Sequence, residues 1–90
     1  MLYMLINRTR PDLTPGQYQE LGRLAQGFYD NIPPGVTLIG DWAANDRSRT
    51  FALLETDDPA LLEQIQAPFA GLVDIETVAV TAVTGWNRRD

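Results

Sequence analysis

Cysteine, histidine and lysine are all absent from the 90-residue chain, and serine occurs only as Ser48. Each absence removes chemistry. Without cysteine there is no disulfide scaffold and no thiolate nucleophile, and without cysteine and histidine the usual zinc ligand sets cannot form, so no metal site is expected. Imidazole catalysis goes with histidine, and Schiff-base catalysis goes with lysine. No remaining motif calls for a cofactor, and none is expected. Long hydrophobic runs are also missing. The stretch Leu2 to Ile6 has no basic residue before it and is too short for a signal-peptide core or a membrane span. The expectation is a soluble cytoplasmic protein with no membrane partner. Positive charge is scarce, with 7 arginines against 12 acidic residues and a net charge of −5. That balance argues against nucleic acid as a partner, because binding needs clustered cations to displace counterions from phosphates. The pairs Arg8 with Arg10, Arg47 with Arg49 and Arg88 with Arg89 suit solvated loops and termini.

What is present reads as one domain over residues 1–90, with 44% hydrophobic residues available for a core. Leu2 to Arg8 is apolar on both faces and reads as a strand covered on both sides. Thr14-Pro15-Gly16-Gln17 spells a helix start. Thr14 is the cap, Pro15 fills the first helical position, and Gln17 can reach back to the N–H of the cap. Tyr18, Leu21, Leu24, Ala25, Phe28 and Ile32 follow at helical spacing. Pro33-Pro34-Gly35 stops that helix. Val36 to Ala43 and Arg49 to Glu55 read as a hairpin around the turn residues Asn45 to Ser48. Asp57-Asp58-Pro59 starts a second helix, with Leu61, Ile65 and Phe69 on one face and Pro68 ending the regular part. Val73 to Val83 is rich in Val, Ile and Thr and reads as a long last strand.

The order βαββαβ makes this an α+β chain. Right-handed crossovers set the first and third strands side by side, with the fourth outside the first and the second outside the third. The expected sheet is ferredoxin-like, four-stranded and antiparallel, of order 4-1-3-2, with both helices on one face. Within it the first and third strands are expected to run parallel. Two short helices cover only one face of such a sheet. Yet alternation is poor: Leu2, Met4 and Ile6 oppose Tyr3 and Leu5, and Phe51 and Leu53 oppose Ala52 and Leu54. Ile75 and Ala79 likewise oppose Val78 and Val80. An uncovered apolar face predicts a homodimer in which the two open faces bury each other.

The pattern resembles the dimeric α/β-barrel superfamily and, within it, a short bacterial family of unknown function. The resemblance is carried by Leu2-Tyr3-Met4-Leu5-Ile6, by Phe28, and by Pro34-Gly35-Val36. It continues in Gly40-Asp41-Trp42, Leu54-Glu55-Thr56-Asp57-Asp58 and Asp74-Ile75-Glu76. It covers nearly the whole chain, implies the barrel dimer, and leaves activity open.

Five residues are candidates for a site. Glu55 closes an apolar strand and is the candidate catalytic base, if burial raises its pKa; solvation or pairing with Arg8 is the commoner fate of such a residue. Glu76 flanks the last strand and has the same two readings. Trp42, two residues after Gly40, can lay its ring over open backbone as a ligand shelf or pack in an interface. Asp41 points to the face opposite Trp42. Tyr29 can lean into a cavity between helix and sheet or sit on the surface, and Asn7 closes the first strand. Parallel pairing would gather Asn7, Arg8, Glu55 and Glu76 at one end of the sheet, with Tyr3, Trp42, Arg49 and Trp86 at the other.

Asn7, Trp42 and the tyrosines are similar in residue type to the groups that hold an oxidisable aromatic substrate in cofactor-independent monooxygenases of the superfamily. Metallochaperone, RNA-binding and acylphosphatase versions of the fold lack their signatures here. The leading expectation is a small-molecule-binding or protein-interaction module. The alternative is a cofactor-independent enzyme, monooxygenase- or isomerase-like, acting on a small aromatic or lactone metabolite. It would use Glu55 with Asn7 or Tyr29.

Overall fold

The computed structural model describes residues 1–83. Its first helix, α1 (Pro15–Asp30), starts where the local chemistry dictates. The Thr14 side chain accepts from the Gln17 N–H at 3.2 Å, and Gln17 Oε1 accepts from the Thr14 N–H at 2.8 Å. Two donors that the first turn would otherwise leave unpaired are thereby satisfied, for about 1 kcal/mol. The helix stops at Asp30, before Pro33-Pro34, and Asn31 N–H closes on the carbonyls of Gly27 and Phe28. Ile32 thus lies outside the helix, although it still packs against the core. The second helix, α2 (Pro59–Gln66), has Asp58 as its cap, accepting from Ala60 N–H at 3.1 Å. A single 3₁₀ turn, Ala67–Phe69, follows it at Pro68. No helix among the described residues is long and apolar enough to cross a membrane.

Four strands, β1 (Leu2–Thr9), β2 (Val36–Ala43), β3 (Thr50–Thr56) and β4 (Val73–Val80), form one sheet in the order β2-β3-β1-β4. This is the ferredoxin-like arrangement expected from the element order. The last strand stops at Val80 rather than Val83 because its partner Val80↔Leu2 is the final rung that β1 offers. The β2–β3 turn closes through Ser48 N–H to Asp46 Oδ1 at 3.0 Å, with Arg47 at φ 64°.

One expectation is overturned. β1 and β3 pair antiparallel, with Leu2 opposite Glu55 and Asn7 opposite Thr50. The reason is topological. The crossover through α1 makes β1 and β2 parallel, the hairpin reverses the chain, and β3 entering between them must oppose both.

Both helices lie on one face. Leu5, Val36, Leu54 and Leu62 form the buried core, and Tyr3, Phe28, Ala52 and Ile75 pack against it. The residues on alternate positions, Leu2, Met4, Ile6, Phe51, Leu53 and Val80, are only half-buried because no element among the described residues covers them. Among the described residues only Leu54 has no exposure at all. The core is small because the helices stand off the sheet instead of filling the space above it.

Candidate functional site

Small side chains create an open interior. Ala25 on α1 faces Ala52 and Ala43 on the sheet, so larger residues that would close the gap are missing. The result is a cavity of about 440 Å³ between the helices and the sheet. Leu5 and Leu54 form its inner wall, Leu21, Phe28, Ile65 and Phe69 its roof, and Ile75 and Val73 one side. It extends toward the end of the sheet where β1 finishes, at Asn7 and Thr9.

Polar groups gather at that end. Asn7 Nδ2 donates to Thr50 Oγ1 at 3.2 Å across the β1–β3 register. Asp41, opposite Ala52, turns toward the helices, and the Tyr29 hydroxyl donates to Asp41 Oδ2. That bond ties α1 to β2 at the rim. The carboxylate as acceptor, helped by partial burial, pushes the Tyr29 pKa up to about 12. On the α2 side Gln66 Nε2 donates to Thr77 Oγ1 at 2.7 Å. The arrangement is an apolar chamber with a few converging hydrogen-bonding groups, the usual make-up of a small-molecule site.

The antiparallel register redistributes the sequence candidates. Asn7 and Tyr29 meet at the cavity, whose lining also takes in Trp42 at its edge. Trp42 lies at the same end of the sheet as Asn7, since β2 places Ala43 opposite Thr50 and Trp42 opposite Phe51. The expected separation of Asn7 from Trp42 and Arg49 is therefore corrected. The same register puts Glu55 at the far end, opposite Leu2 and Thr37, where it is exposed and clear of the cavity. Its expected grouping with Asn7 fails, because antiparallel pairing moves it the length of the strand, and its exposure leaves it with the commoner of its two readings, a solvated strand-end carboxylate. Glu76, opposite Ile6, is also exposed on the helix-free face.

Trp42 and Asp41 do occupy opposite faces, even though a bulge shifts the β2 register between Leu38 and Gly40. The indole of Trp42 folds back over Gly40, with Cη2 only 2.9 Å from the place a Cβ would take. At 55% exposure it stands among the uncovered apolar residues and is continuous with them. Arg49 stacks on Phe51 beside it, 5.4 Å from the ring centroid. Trp86 and the Arg88 and Arg89 pair lie outside the described residues.

Asp41, Thr50 and Gln66 are not among the site candidates that the sequence offers. The first two become visible once β3 is run antiparallel to β1, since Thr50 then meets Asn7 and Asp41 sits one strand further out on the helix side. Gln66 carries no comparable sequence signal.

The fold is similar to several solved structures. SCO4226 from Streptomyces coelicolor A3(2) matches with a TM-score of 0.55 at 14% identity, covering 92% of this chain and 99% of that one. A crystal structure of an antibiotic biosynthesis monooxygenase matches with a TM-score of 0.56 at 16% identity, covering 92% and 99%. Rv0793 from Mycobacterium tuberculosis gives 0.55 at 11%, covering 92% and 98%. At these identities the likeness is one of fold alone, the ferredoxin-like arrangement already described. A search of curated proteins finds no match. The family model described as "Domain of unknown function (DUF3303)" matches residues 1–87.

Proposed function

We propose that this chain, which belongs to the DUF3303 family, is a homodimeric small-molecule-binding protein whose ligand occupies the cavity between helices and sheet. The cavity itself carries the reading. Some 440 Å³ of space lined mainly by aliphatic and aromatic side chains, with Asn7, Thr50, Asp41 and Tyr29 at one end, is room for a small ring system held by a few directed hydrogen bonds. Unfilled apolar space costs a fold stability, and an occupant returns the lost contacts. The dimer is supported by the other face, where Leu2, Met4, Ile6, Phe51 and Leu53 are half-covered and Trp42 is exposed. An apolar surface of that kind is uncommon on a monomer, and a two-fold partner would bury it.

Native mass spectrometry of the purified protein tests the ligand reading directly. A small molecule that co-purifies with the wild type and is lost in Ala52→Phe, which fills the cavity, is the expected result. A wild type that carries nothing and binds no apolar probe, or an Ala52→Phe variant that still carries the molecule, would count against it.

A second reading is favoured by the presence of Asn7, Thr50 and the Tyr29–Asp41 pair along one cavity. In this reading the bound molecule is turned over without a cofactor, with these groups orienting it. Incubating the co-purified molecule with fresh protein in air and following its mass separates enzyme from carrier.

A further inference from the structure

Among the hydrogen-bonding groups that face the cavity, the Asp41 carboxylate is the charged one; Asn7, Thr50, Tyr29 and Gln66 are neutral. An ionised Asp41 can only accept, and one of its oxygens already takes the Tyr29 proton, leaving the other free. The Tyr29 hydroxyl hydrogen is spent on that bond. Asn7 donates to Thr50, which leaves its Oδ1 as an acceptor, and Gln66 donates to Thr77, which leaves its Oε1. Three oxygens facing the cavity therefore remain open to a donor; the amides keep a second N–H and Thr50 its hydroxyl hydrogen, so these neutral groups serve either way and only the Asp41 carboxylate is an acceptor alone.

Positive charge is missing from the same surface. None of the five arginines among the described residues lines the cavity. Arg23 pairs with Glu20 on the outside of α1, and Arg10 pairs with Asp74 at 3.6 Å. Arg49 is stacked on Phe51 on the far face, Arg8 lies opposite Asp74 on that same face, and Arg47 sits in the hairpin turn. A negatively charged ligand would give up its hydration to lie beside a carboxylate with no cation to answer it.

We infer that the cavity discriminates by charge: it takes a flat, mostly apolar molecule that is neutral or cationic and brings hydrogen-bond donors to Asp41, Asn7 and Gln66, and it rejects acids of the same shape. This deepens the binding function proposed above and rests on it.

Three probes of one shape test the selectivity, namely 2-naphthylmethylamine, 2-naphthol and 2-naphthoate. They are titrated calorimetrically at neutral pH and low salt into the wild type, Asp41→Asn and Tyr29→Phe. The expected result is that the amine and the naphthol bind about tenfold more tightly than the naphthoate, since at low salt a like charge a few ångströms away is worth about that much even when its carboxylate, as at Asp41, is exposed at the rim. In Asp41→Asn, which keeps the shape and removes the charge, the gap should shrink to about threefold or less. Tyr29→Phe, which keeps the charge, should preserve the ranking and serves as the check should the Asn variant fold poorly. Naphthoate binding as tightly as naphthol, or a gap unchanged in Asp41→Asn, would overturn the charge filter while leaving the cavity as a binding site. No binding by any of the three would sink the site and the filter together.

Discussion

The indole of Trp42 lies over Gly40 on the helix-free face of the sheet, so close that a methyl group on Gly40 would stand 2.9 Å from Cη2 and 3.1 Å from Cζ2. Gly40 is therefore the seat of the ring, and its missing side chain decides where the aromatic surface is displayed. Gly40→Ala should push the indole off the strand while leaving the backbone intact. In a Trp86→Phe background, the fluorescence of Trp42 should shift in wavelength or intensity. An unchanged spectrum would mean that the ring does not depend on that seat.

Leu53 neighbours Gly40 on β2 and Met4 on β1, at the middle of the same uncovered face. Placing a carboxylate there by Leu53→Asp should leave the helix side undisturbed and prevent two faces from closing on each other, since a buried unpaired charge is costly. Light scattering after size exclusion should give a dimer for the wild type and a monomer of 10.0 kDa for the variant. A wild type that is monomeric at micromolar concentration would remove the dimer from the proposal.

The Tyr29–Asp41 bond makes folding sensitive to alkali. The tyrosine pKa rises from 10.0 to about 12 in the folded chain, first through the hydrogen bond to Asp41 and then through desolvation and the carboxylate charge. Below pH 10 the phenol is protonated whether or not the chain is folded, and the stabilisation is complete. Between 10 and 12 the unfolded chain releases the proton while the folded one keeps it, so stability falls through that window. Because Tyr29 is 49% exposed, the effect is screened to about 1 kcal/mol or less. Urea unfolding followed from pH 8 to 12 should lose this step in Tyr29→Phe. The tyrosinate difference spectrum between the two proteins should place the missing transition near the upper end of that range.

Leu54 packs at the centre of a core whose other buried hydrophobic residues, among those described, are Leu5, Val36 and Leu62. Truncating its fully buried side chain leaves few neighbours able to move in. Leu54→Ala is expected to cost about 2–5 kcal/mol, a large part of the stability of a small domain. Its chemical-denaturation midpoint should drop sharply, and a loss below about 1 kcal/mol would mean that the interior is already loose enough to collapse.

Much of the local structure was legible because it is encoded over a few residues. Thr14-Pro15-Gly16-Gln17 and Asp58-Pro59 specify helix starts through bonds that span two or three positions. The assignment of Leu2, Met4, Ile6, Phe51 and Leu53 to one face and Tyr3, Leu5, Ala52 and Leu54 to the other follows from the two-residue period of a strand. Asn7 and Tyr29 were visible as polar groups at the ends of apolar elements, but what they would meet was not. Asn7 finds Thr50 across 43 positions and Tyr29 finds Asp41 across 12, and both pairings depend on which way β3 runs.

By itself, then, the sequence determined the six-element order, the sheet order and the two unlike faces, since caps, turns and alternation are short-range properties of the chain. Only the tertiary structure decided that Glu55 lies far from Asn7, that Asp41 joins Tyr29 at a cavity rim, and that three alanines bound a chamber instead of a packed interior. Pairing register and empty volume arise from how distant segments meet. A space is defined by the atoms that fail to fill it, and no single residue along the chain records that.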